Sequence, residues 1–268
     1  MAAMKFFDFH VHIFPEKIVA KAVGFLENHY QFQWECSGTE NDFQLRFREA
    51  KINKCVIFSS ATKPEQMQNI NDFISRHAAS RPDFFVGFGT LHPDNPAWKT
   101  ELDRFPVLNL HGVKLHPDFQ QFDINAPKAM KMYEELEMRN LPVLVHLGDR
   151  KLNFSKPSRL AEVAKKFPRL RIVAAHMGGY SAWDEARDKL AGFPNVWFDT
   201  SSTFPFLGKD EFIELIYTYG IEKIMMGSDY PSKTPQHATQ EIMNLDIPEA
   251  DKESISFRNA CRFLNLPE

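Results

Sequence analysis

Thiols are scarce: Cys36, Cys55 and Cys261 are the three cysteines in 268 residues, and none forms a Cys-x-x-Cys pair. An odd count without such pairs argues against a disulfide framework and a thiolate zinc site, and it predicts a reducing, cytoplasmic compartment. No run of about 18 apolar residues occurs, so no membrane-spanning helix is predicted. A basic excess is missing as well. Lysine and arginine number 32 against 35 aspartates and glutamates, a formal net charge of −3, and this predicts no nucleic-acid partner. Linkers rich in Gly, Pro or Ser, low-complexity segments and internal repeats are also lacking, so 1–268 is expected to form one domain. The N-terminus runs Met-Ala-Ala-Met-Lys directly into apolar sequence. No signal core is expected there, and the first three residues read as a leader before an equally good start at Met4.

What is present begins with Phe6-Phe7-Asp8-Phe9-His10-Val11-His12, an apolar run that ends in His-x-His. Residues two apart on a strand point to one face. The imidazoles of His10 and His12 are therefore expected side by side, as half of a transition-metal site.

Seven more short apolar runs follow, at 54–59, 84–90, 111–117, 141–148, 171–179, 196–201 and 223–231. Helical or connecting segments separate them, with helices expected near 14–30, 42–52, 63–80, 126–139, 157–167 and 208–219. Residues 31–41 and 118–123 read as loops, and Ser181 as the N-cap of a helix ending near Leu190. Two helical stretches, 236–244 and 248–264, close the chain. Near-continuous apolar strands suit a parallel sheet covered by helices. Eight strand–helix units in this length predict an α/β fold, the (β/α)₈ barrel, with a doubly wound open sheet as the alternative.

In such a barrel, catalysis occurs at the C-terminal ends of the strands. Standing there are His10 and His12, Lys114 and His116, His146, His176 and Asp229. Catalytic metal sites keep about three protein ligands and one open position. His10, His12 and His146 with Asp229 supply suitable nitrogen and oxygen donors. A metal ion in that position makes bound water nucleophilic at neutral pH. Asp229 is then the expected proton acceptor, and His176 the group that polarises a carbonyl or moves a proton. Arg150 and Tyr230 are the expected substrate contacts, with Trp34 another wall candidate. Thr200 and Ser228 are expected to orient the ligands.

The stretches Phe-Asp-Phe-His-Val-His (7–12), Gly-Val-Lys-Leu-His-Pro (112–117), Pro-Val-Leu-Val-His (142–146), Ala-Ala-His-Met-Gly-Gly (174–179) and Met-Gly-Ser-Asp-Tyr-Pro (226–231) together resemble the amidohydrolase superfamily, specifically its amidohydrolase 2 family. The resemblance extends over nearly the whole chain. It implies a distorted, metal-dependent TIM barrel, with His10, His12, His146 and Asp229 on the metal and His176 catalytic or at a second metal. Some members carry a carboxylated lysine that bridges two metals near the position of Lys114. Lys114, with His116 and His176, therefore either joins a second ion or binds substrate. The expected cofactor is one divalent ion, Zn²⁺ before Mn²⁺ or Fe²⁺, with two ions left open. The expected activity is hydrolysis of an amide, lactone or ester-like bond in a small molecule. The alternatives are non-oxidative decarboxylation of an aromatic or dienoic acid, a TatD-like phosphoesterase or nuclease, and a non-catalytic binding barrel. Homodimers are frequent among members of the family.

Overall fold

The computed structural model describes residues 4–268; the expected leader residues 1–3 lie outside the described residues. Eight strands alternate with helices: β1 (Phe7–His12), β2 (Lys54–Phe58), β3 (Phe85–Gly87), β4 (Val113–Leu115), β5 (Val143–Val145), β6 (Ile172–Ala174), β7 (Val196–Asp199) and β8 (Ile224–Met225). Every pairing is parallel, in the orders β1-β2-β3 and β4-β5-β6-β7-β8. The bridges Gly89↔Val113 and Val11↔Tyr230 join the two arcs. The ring is thereby closed, and the open sheet is excluded. No helix among the described residues is long and apolar enough to cross a membrane.

Two apolar layers hold the ring. Phe7, Phe9, Val56, Phe58, Phe88, Leu144, Val173 and Met225 fill its interior, and Phe257, Ala260, Cys261 and Phe263 from the C-terminal helical segment plug the bottom. The Phe9 ring meets Phe88 and Phe263 edge-on, at 5.9 and 5.5 Å between centroids. The alternate strand residues, among them Ile57, Val113, Val145 and Ile172, pack outward against the helices. Each large side chain so buried contributes about 1.5–3 kcal/mol.

The ladders are shorter than the apolar runs, because those runs continue beyond the ring and form its rim. Helix α1 spans Glu16–Tyr30. The next, α2, spans Glu40–Glu49, with Thr39 as its cap. Helix α3 spans Met67–Ser80, and α4 spans Trp98–Leu108. Two local expectations are corrected. The loop expected at 118–123 opens with a short helix, α5 (Pro117–Gln120): Pro117 occupies its first turn, and His116 caps it by accepting the Phe119 N–H. The helix Trp183–Leu190 is capped at Ala182, not at Ser181, which adopts a left-handed backbone at φ 63°.

Candidate metal centre and its cavity

Strand β1 builds the centre through a change of parity. Phe7 and Phe9 point into the barrel, whereas Val11 points to the helices. The pairing with β2 shifts register between Asp8 and Val11. A bulge of this kind re-aims the side chains that follow it. His10 and His12 consequently face the same interior as Phe7 and Phe9. Asp8 holds the bulge: its Oδ1 accepts the N–H of His10 at 3.2 Å and of Ser228 at 2.9 Å. Burial pushes its carboxyl up to about 7.

Three donor atoms converge on the interior. His10 Nε2 lies 3.3 Å from His12 Nε2, and Asp229 Oδ1 lies 3.4 Å from the first and 3.5 Å from the second. Ligand atoms held about 2.1 Å from one ion stand about 3.0–3.4 Å apart, so this spacing fits a single metal. Protonation fits as well. Burial drives both imidazoles below their ordinary pKa. Burial would raise the Asp229 carboxyl, but His10, His12 and His176 outweigh it and hold the group well below the usual range. Two neutral imidazoles and one carboxylate are the forms that bind a divalent cation.

Asp199, at the end of β7, orients the set. Its Oδ2 lies 2.9 Å from His10 Nδ1, which fixes the proton there and leaves the Nε2 lone pair for the centre. Its Oδ1 accepts the N–H of His176 at 3.2 Å and of Ser201 at 3.1 Å. Ser201 Oγ reaches His10 Nδ1 at 3.1 Å and His176 Nδ1 at 2.9 Å. Ser202 Oγ donates to Asp229 Oδ2 at 2.5 Å. The orienting hydroxyls thus belong to Ser201 and Ser202. Thr200 and Ser228, expected in that role, bond instead to the N–H groups of Gly227 and Tyr230. His176, Ser202 and Asp229 all have left-handed backbones, with φ of 58°, 46° and 63°. Such conformations cost about 1–3 kcal/mol each in non-glycine residues and concentrate at functional sites.

The remaining expected residues are distributed unevenly. Lys114 is fully buried, with Nζ 3.2 Å from His10 Nε2 and 4.8 Å from the centre of the Phe58 ring. Burial pulls its ammonium down to about 7 against the pull of Asp199 and Asp229. His146 stands one ring away from the triad: Nδ1 meets His176 Nε2 at 2.9 Å, and Nε2 meets the Gly148 carbonyl at 2.8 Å. His116 stacks face to face on His146, at 3.8 Å and 11°. Arg150 is exposed and lies over the rings of Tyr180 and Phe206, 5.4 and 5.6 Å from their centroids. Tyr230 is buried; its hydroxyl donates to Asp42 Oδ2 at 3.1 Å, and its ring packs on Phe43 and Phe47. Neither Arg150 nor Tyr230 lines the cavity above the centre, whereas Trp34 does.

That cavity has a volume of about 1220 Å³ and reaches from His12, His176 and Asp229 out between α1 and α3. Tyr30, Phe119 and Tyr180 wall its inner part. Sequence reasoning passed over Asp199, Ser201, Tyr30 and Asp118. Asp199 carries the signal that revealed Asp229, an acidic residue ending an apolar strand. Tyr30 ends α1 and Asp118 lies in α5, where no local pattern marks them.

Comparison with known proteins places the chain. A family model described as "Amidohydrolase" matches residues 7–266. The gamma-resorcylate decarboxylase of Polaromonas sp. (strain JS666) is 25% identical over 261 residues, covering 78% of this chain and 79% of that protein. Among solved structures, 2,6-dihydroxybenzoate decarboxylase complexed with 2,6-dihydroxybenzoate superposes with a TM-score of 0.77 at 18% identity, over 98% of this chain and 100% of that one. A dihydroxybenzoic acid decarboxylase from Polaromonas sp. JS666, with bound manganese and 2-nitroresorcinol, superposes at 0.74 and 18% identity, over 98% and 97% of the two chains. The expectation of a hydrolase acting on an amide, lactone or ester is corrected by these relatives, which are decarboxylases. With a model match across nearly its full length, the chain belongs to the amidohydrolase family of enzymes.

Proposed function

We propose that this protein is a metal-dependent, non-oxidative decarboxylase of a hydroxylated aromatic acid. One observation carries the reading: the His10–His12–Asp229 triad opens into a cavity walled by aromatic rings, in a chain whose decarboxylating relative aligns over 78% of its length. The reaction exchanges CO₂ for a proton. The ring carbon that bears the carboxylate gains H⁺, its bond to the carboxylate breaks, the bonding pair stays with the ring, and nothing is oxidised or reduced.

His10, His12 and Asp229 are the proposed holders of a divalent ion. Manganese is the first ion to try, because a relative of the same fold binds it; zinc and iron suit the same donors. A bound cation would orient the acid and polarise its oxygens. Lys114, buried with Nζ 3.2 Å from His10 Nε2, stands behind the proposed ion-holding residues. Tyr30 and Phe119 enclose the ring and exclude water. Asp229 is held ionised, so proton delivery falls to His176, which lines the cavity and is hydrogen-bonded to Ser201 and His146.

Manganese-loaded enzyme incubated with 2,6-dihydroxybenzoate in D₂O tests this. CO₂ release with one deuterium placed on the product ring is the expected result. Metal-loaded protein that releases no CO₂ from any member of a hydroxybenzoate panel overturns the proposal.

A further inference from the structure

We infer that the substrate is longer than one ring: an aromatic acid whose ring carries an apolar tail ending in a second anionic group, held in the cleft between α1 and α3. The ring rests on the decarboxylase reading, and the tail rests on the cleft alone.

The cavity is too large for a single-ring acid. Its volume of about 1220 Å³ exceeds the roughly 300–1,000 Å³ of pockets that enclose a drug-sized ligand. Beyond the inner aromatic walls, Asn69, Ile70, Phe73 and Arg76 line it from α3. Their spacing puts them on one helix face, along about 10 Å at about 1.5 Å per residue. Opposite them, α1 contributes Lys17, Ile18, Lys21 and Phe25, again on one face.

The walls of this outer cleft are apolar. Ile18 and Phe25 are 44% and 57% exposed, and Phe32, just beyond the helix, is 37% exposed. All three line the cleft, while Val19 and Val23 are buried on the other side of α1. Apolar side chains left uncovered along a groove mark a ligand-binding surface. The cleft is continuous with His12 and Asp229 in one cavity, so its occupant is the outer part of the molecule that the centre holds.

Four cations border the apolar stretch: Lys17 and Lys21, one turn apart on α1, Lys63 ahead of α3, and Arg76 upon it. Among the described residues none of the four is ion-paired, whereas Arg46 on α2 and Arg104 on α4 are. Three aspartates line the cavity. Asp118 and Asp229 belong to its inner part, and Asp72 is engaged by Arg104 at 2.5 Å. The chain as a whole carries a net charge of −3, so the cationic border is not the overflow of a basic surface. Charges of one sign along a low-dielectric cleft concentrate the opposite ion, and a guanidinium suits a carboxylate in particular.

The test uses resorcinols, which have no carboxylate on the ring to lose. Calorimetry on the manganese-loaded full chain compares resorcinol, 5-hexylresorcinol and 6-(3,5-dihydroxyphenyl)hexanoate. The proteins are wild type, the double variant Lys17→Gln/Lys21→Gln, and Arg76→Gln, with metal content determined alongside. Wild type is expected to bind hexylresorcinol tighter than resorcinol, and the tailed acid about tenfold tighter than hexylresorcinol. Each variant is expected to lower the second ratio about threefold and to leave the first unchanged. Equal affinity for resorcinol and hexylresorcinol overturns the proposal, because the tail then lies outside the cleft. Absence of any preference for the tailed acid overturns it too, as does a preference that survives in both variants, which would put the tail carboxylate on the metal. The decarboxylase reading fails separately, if wild type shows both preferences yet releases no CO₂ from any hydroxybenzoate, tailed or untailed.

Discussion

The two ends of the barrel are built on opposite principles. Towards the bottom, Phe9 meets Phe88 and Phe263 edge-on and Phe7 packs tilted against Phe9, in a buried aromatic plug. At the rim, imidazoles, carboxylates and an ammonium are buried together, and His176, Ser202 and Asp229 adopt left-handed backbones. The bottom collects favourable burial. The rim consumes it, in desolvated charge and conformational strain. An enzyme of this design keeps a preorganised site because the other end of the same strands is overdetermined by packing.

Substitutions at either end break or sharpen that contrast. Replacing His10 and His12 together by Ala is expected to have the largest effect: metal and CO₂ release vanish together while the far-ultraviolet circular dichroism stays that of a folded barrel. Full metal retention by the double variant, measured by elemental analysis, would remove the centre from this position. Phe263→Ala, at the closed end, is expected to cost about 3–5 kcal/mol of stability in denaturant unfolding, yet to leave the metal content of the folded fraction unchanged. A loss of metal there would show that the two ends are not separable. Asp199→Asn removes the carboxylate oxygen that orients His10 and keeps one oxygen to accept the N–H groups of His176 and Ser201. It is expected to weaken metal affinity about 10–100-fold with little change in stability, read by competition with a chelator. Arg150→Ala is the smallest: the residue is exposed and outside the cavity, so stability should move by less than about 0.5 kcal/mol. The kcat/KM for a hydroxybenzoate should then stay within about threefold. A larger loss would return Arg150 to the substrate site.

Legibility in the sequence followed period and chemistry. The apolar runs marked all eight strands, and the polar residues ending them marked the rim, because a buried parallel strand has no other place for a histidine or an aspartate. Strand ends alone did not say which atoms meet. His146 ends its strand as His10 and Asp229 do, yet it pairs with His176 and stacks on His116. Thr200 and Ser201 are adjacent, and only the backbone path decides which hydroxyl reaches His10. Tyr230 follows Asp229 directly but turns away into the Phe43 and Phe47 rings. The hydrolytic expectation failed for a related reason: one donor set supports several reactions, and the strand ends do not encode which bond is broken.

By itself the chain determined a closed parallel barrel, a histidine pair at its first strand end and a far aspartate to complete them. These depend on residue type and spacing, which are local. The tertiary structure decided the bulge that turns His10 and His12 inward, the choice of Asp199 and Ser201 as orienting partners, and the pairing of His146 with His176. Those outcomes depend on contacts between segments up to about two hundred residues apart, as between His10 and Asp199, which are 189 apart. No local pattern records such contacts until the ring has closed.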